Sequence, residues 1–116
     1  RGWMGNDTTG MIDPSKDAPM IVDVHTHIWE SADQLGPAMA ERLRKSVINP
    51  WETPIASTEA HDQAMQPVQY AIIHGFASQH LKASIPIEQV AGYVRRNPEK
   101  YVGFAGIDPM DPQCMQ

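Results

Sequence analysis

Three short runs of apolar residues, many of them β-branched, divide this chain: "MIVDVHTH" (20–27), "VQYAIIHGF" (68–76) and "YVGFAGI" (101–107). Unbroken apolar runs of this length read as strands buried on both faces, the habit of parallel sheets. Helical stretches lie between them. "LGPAMAERLRKSVI" (35–48) spaces Leu35, Met39, Leu43 and Val47 as one apolar stripe, with Gly36 and Pro37 suited to its first turn. "NPWETP" (49–54) then breaks the chain. "STEAHDQAMQ" (57–66) predicts a second helix, capped by Ser57 or Thr58, with Glu59 near its positive end and Pro67 as its stop. The clearest helix is "IPIEQVAGYVRRNP" (85–98), where Ile87, Val90, Ala91 and Val94 share a face. Pro86 begins it, Arg95 and Arg96 suit its negative end, and Asn97-Pro98 terminates it. "ASQHLKAS" (77–84) reads as a loop.

Strand, helices, strand, helix, strand is an order that calls for parallel pairing through right-handed crossovers. The expected class is α/β, either an open doubly wound sheet or part of a barrel. Three strands do not close a barrel, whose complete form needs at least about 200 residues. Stopping after a third buried strand would also leave an apolar edge exposed, which natural proteins avoid. Residues 20–116 are therefore read as about three βα units, the N-terminal part of a (β/α)8 TIM barrel. Residues 1–19, rich in Gly, Asp, Thr and Pro, read as a flexible lead-in.

Charge narrows the function classes. Nine basic against fourteen acidic residues give a net charge of −5, so no field is offered to a phosphate backbone and nucleic acid is not an expected partner. No apolar run approaches the ~20 residues that span a bilayer. The N-terminus lacks the apolar core of a signal peptide, and Cys114 is the sole cysteine. Both features suit a cytoplasmic protein.

The chemistry gathers at the end of the first strand. Alternation along a strand puts Asp23, His25 and His27 on one face and Val22, Val24 and Thr26 on the other, toward covering helices. Two imidazoles at i and i+2 can converge on one ion of Zn²⁺ type, each with a neutral nitrogen lone pair. The carboxyl end of a parallel strand is where such a site opens. The competing reading is a pair of histidines simply hydrogen-bonded near a strand end. Asp23 adds to the first, since a carboxylate in an apolar strand needs a partner. It could orient a ligand histidine or accept from backbone donors, and its depth along the strand favours the second role.

"IVDVHTHIWE" resembles the first-strand motif of the amidohydrolase superfamily, metal-dependent enzymes on a TIM barrel. "VAGYVRRNPEKYVGFAGIDP" is similar to the second-helix and third-strand segment of its amidohydrolase-2 branch, which includes aminocarboxymuconate-semialdehyde decarboxylase. The resemblance covers residues 20 to about 112. It implies that His25 and His27 bind a divalent metal, commonly zinc. It implies hydrolysis or non-oxidative decarboxylation of a small carboxylate or amide. In the family the remaining ligands are histidines on middle strands and an aspartate on the last, which also takes the proton. Those strands are not in this sequence, so the expectation is half a site and an inactive isolated chain.

Other residues carry weaker expectations. His74 ends the second strand and could face the same mouth, touching substrate or orienting a ligand, against a satisfied structural histidine. Asp108 in "GIDP" lies on the catalytic side, although Asp-Pro is a common turn starter. Trp29 and Glu30 could line a pocket. His61 is expected to face solvent from its helix, His80 is uninformative, and Arg95 and Arg96 suit a helix end better than an anion site. Cys114 has no activating neighbour in sequence. Two other readings compete with the leading one. A TatD-like or PHP-type phosphoesterase also uses H-x-H, though Asp108-Pro109 stands where a TatD-like chain usually has a histidine before proline. The second is a catalytically inactive fragment or interaction module, and the exposed edge points to association between copies.

Overall fold

The computed structural model describes residues 19–46 and 56–114. In chain order these form β1 (Val22–Thr26), a 3-10 turn (Ala32–Leu35), α1 (Pro37–Arg44), α2 (Thr58–Ala64), β2 (Tyr70–His74), β3 (Phe76–Ser78), β4 (Ala83–Ile85), α3 (Ile87–Val94) and β5 (Tyr101–Phe104). The sheet order is β1-β2-β5 with both pairings parallel. The expected α/β class with parallel strands therefore holds. The lead-in and the "NPWETP" break lie outside the described residues, apart from Pro19.

Local signals explain the helices. Ser57 caps α2, its hydroxyl accepting from Ala60 N at 3.2 Å, which satisfies one of the free donors of the first turn. Pro37 occupies the first turn of α1 and Gly36 precedes it with φ of +78°. A side chain could not replace Gly36: a Cβ there would meet the Leu81 carbonyl oxygen at 2.1 Å. That contact brings the start of α1 against the segment after β3.

The core is one-sided. Ile28, Val68, Ala71, Ile73, Ile85, Val90, Tyr93 and Tyr101 cluster between the sheet and its helices. Val90, at 2 % exposure, adds roughly 1.5–3 kcal/mol of apolar burial. Gly103 lets α3 approach β5, since a Cβ there would lie 2.9 Å from Val90 Cγ1 and 3.1 Å from Val94 Cγ2. The opposite face of the sheet is open. Val22, Tyr70, Val102 and Phe104 are all exposed there, and the cross-strand registers Val22↔Tyr70 and Ile72↔Val102 place them together.

Several sequence expectations are corrected. The strands are not buried on both faces: Val24 is 64 % exposed, and only alternate residues of β2, Ala71 and Ile73, are fully covered. The alternation in β1 also breaks. Asp23 pairs with Ala71 but Thr26 with Ile73, so three steps on β1 match two on β2. One extra residue is thereby inserted, a bulge. Asp23 and Thr26 thus share the register of buried, helix-facing residues, and Asp23 does not share a face with His25. Residues 77–84 are not a plain loop. They carry most of an antiparallel hairpin, β3 paired with β4, with the Ser78–Ala83 turn closed by Lys82 at a φ of +53°. The stripe on α1 is shorter than expected: Ala40 is its buried residue, Leu35 belongs to the 3-10 turn, and Val47 lies outside the described residues. On α3, Ile87 is exposed and Tyr93 joins Val90 in the core.

Candidate functional site

Three histidines meet at the carboxyl ends of β1 and β2. His25 Nε2 and His27 Nε2 are 3.1 Å apart. His27 Nδ1 lies 2.8 Å from the His74 carbonyl oxygen. A carbonyl can only accept, so Nδ1 carries the proton and donates, leaving the Nε2 lone pair directed at His25. By the same logic His74 Nε2–H donates to the Val24 carbonyl at 3.1 Å. The His25 and His74 rings stack with centroids 4.5 Å apart.

The pair suits a metal in two respects. Two nitrogens on one tetrahedral zinc, each at 2.0–2.1 Å, are separated by about 3.3 Å, close to the spacing here. A ligand histidine ordinarily donates its other nitrogen to a carbonyl or carboxylate, which fixes the tautomer, and His27 does so. Burial holds His27 below the ordinary histidine range, with His25 and His74 adding to the effect and the bond to the His74 carbonyl opposing it. The neutral imidazole, the ligating form, is thus favoured. The fit is partial: among the described residues no group of three or more His, Cys, Asp or Glu converges as a metal cage.

Each remaining sequence candidate has a definite place. His74 joins the cluster through its ring and orients His27 through its carbonyl, while its own Nε2 is committed to Val24. Asp23 Oδ1 accepts from His25 N at 3.1 Å, the backbone-donor role, within its own strand. Trp29 pairs through its backbone with Ala56 and lines a cavity beside His27. Glu30 is exposed. Asp108 is a turn residue: its carboxylate accepts from Met110 N at 2.9 Å and from Gln79 N at 2.5 Å. Those two backbone donors, Gln79 foremost, hold its carboxyl below the usual range. The second bond pins the β3–β4 hairpin to the exit from β5. Arg96 neighbours Asp62 at 3.5 Å and Glu59 at 3.8 Å, in keeping with a helix-end charge.

His61 overturns its expectation. It is 6 % exposed, not solvent-facing. Tyr93 OH donates to Asp62 Oδ1 at 2.7 Å, so His61 Nδ1–H donates to the Tyr93 oxygen at 2.8 Å, and the Thr26 hydroxyl donates to His61 Nε2 at 2.9 Å. Tyr101 OH reaches the same carboxylate oxygen at 2.6 Å. Thr26 stands between the two candidate ligands, so this relay ties the histidine-bearing strand to α2, α3 and β5. A histidine four residues after a helix cap gives no sequence signal of such burial.

No helix among the described residues is long and apolar enough to cross a membrane. No family model, curated protein or solved structure matches the chain.

Proposed function

We propose that this chain carries part of the metal centre of an amidohydrolase-type enzyme, with His25 and His27 holding a divalent ion, zinc by preference, at the mouth of a (β/α)8 barrel. The observation that carries this reading is the approach of His25 Nε2 to His27 Nε2 at 3.1 Å, with His27 Nδ1 anchored on the His74 carbonyl. The reaction class is hydrolysis or non-oxidative decarboxylation of a small carboxylate or amide. A bound ion would supply Lewis acidity toward a substrate carbonyl or water. The chain's own residues hold that site in shape: the His74 carbonyl sets the His27 tautomer, and the His61 relay holds Thr26 between the ligands. The open apolar face of the sheet, with Val22, Tyr70, Val102 and Phe104 exposed, is the surface that the remaining barrel strands would cover. Those strands would bring further ligands and the proton acceptor.

Zinc titration of the full chain against a coloured chelator tests the site. Weak zinc binding is expected, lost in His25→Ala while circular dichroism stays unchanged. Tight stoichiometric binding that survives His25→Ala, or no zinc binding at all, would refute the assignment. With the complete enzyme in hand, cleavage of a phosphodiester rather than a carboxylate or amide would move the function to the phosphoesterase class.

A further inference from the structure

A cavity of about 330 Å³ adjoins His27, within the range of about 300–1,000 Å³ common to small-ligand sites. The segment from the 3-10 turn through α1 contributes one part of its wall, and the β3–β4 hairpin another. Trp29, Met39, Phe76 and Ile85 give it a largely apolar lining, with His27 also on its wall. Arg42 is the one cation among the described lining residues, and it makes no ion pair among the described residues.

An unpaired guanidinium on an apolar wall selects a particular ligand chemistry. Its fork of donors matches a carboxylate, while the rest of the lining would leave a sugar's or a peptide's polar groups without partners. We propose that the cavity binds an amphipathic monoanion, an aryl or alkyl carboxylate. Its apolar body packs on Trp29, Met39, Phe76 and Ile85, and its head pairs with Arg42. Binding stands on the cavity alone; only the status of this ligand as substrate rests on the amidohydrolase reading.

Equilibrium dialysis of the full chain with 2-naphthoate and its neutral counterpart 2-naphthylmethanol, in the presence of chelator, tests the assignment. The naphthoate is expected to bind about threefold more tightly, the scale of an exposed ion pair. Arg42→Gln should bring it down to the neutral ligand's level, and Arg42→Lys should restore part of the preference. Arg42 is exposed on a helix, so neither change disturbs the core. Equal binding of the two ligands, binding of neither, or a preference that survives Arg42→Gln overturns the proposal. His25→Ala separates the two claims. It is expected to lose zinc and keep the naphthoate preference; a wild-type chain that binds no zinc but prefers naphthoate refutes the metal site alone, and one that binds zinc without that preference refutes the cavity alone.

Discussion

His61 holds a part-buried hydrogen bond with Thr26 and a buried one with Tyr93, so His61→Phe should be costly out of proportion to its size. Tyr93 keeps its bond to Asp62, but the Thr26 hydroxyl loses its bond to the imidazole, at a cost of about 1–3 kcal/mol measurable by urea unfolding. No loss would show that water replaces the imidazole. Burial holds His61 below the ordinary histidine range, against the opposing pull of Asp62. The unfolded chain then takes up the proton first, at about pH 6.5. Stability is therefore complete above that pH and falls as pH drops toward the lower folded value. His61→Phe should remove its share of this decline and leave the part due to His27, which burial also lowers. A wild-type stability that is flat on mild acidification would contradict this. Asp62 acts lower on the scale. Burial alone would raise its carboxyl, but the Tyr101 and Tyr93 hydroxyls and Arg96 outweigh it and lower it, so its contribution persists above about pH 4 and is lost below.

Among the elements, the contact of α3 with β5 turns on Gly103. Gly103→Ala would drive a methyl against Val90 and Val94, and overpacking of this kind costs about 1–3 kcal/mol. Combined with Val90→Ala the loss should be less than additive, because the second change makes room for the first. Strict additivity in the double-mutant cycle would remove the contact as the cause. The hairpin has its own pin. Asp108→Ala removes the carboxylate that accepts from Gln79 N and Met110 N, and amide exchange at both residues should quicken while Val90 stays protected. The helices were legible in sequence because caps and stripes are local: Ser57, Pro37 and Pro86 stand at their starts as expected. The hairpin was not. "FAS" and "ASI" are too short to show a period, and their pairing depends on Asp108, 29 residues beyond Gln79.

For the whole molecule, the sheet's uncovered face governs behaviour in solution. Val22, Val24, Tyr70, Val102 and Phe104 are exposed, and β1 and β5 are both edges of the described sheet. Exposed apolar faces with open strand edges drive association. Sedimentation should show self-association that grows with concentration and weakens in Phe104→Lys. A chain that stays monomeric at high concentration would mean that this face is covered by other means.

The sequence by itself determined the order of the three main-sheet strands and the helices between them, the parallel sense of that sheet and the histidine pair at the end of the first strand. Each depends on neighbours a few residues apart or on the alternation of strand and helix. Only the tertiary structure decided which faces are covered. The bulge between Asp23 and Thr26 shifts the phase of β1 by one residue, which turns Asp23 toward the helices and out of line with His25. The burial of His61, and the cavity that Arg42 shares with Trp29, Phe76 and Ile85, were decided there too. The groups that meet in them are tens of residues apart, and no local period can encode their distance.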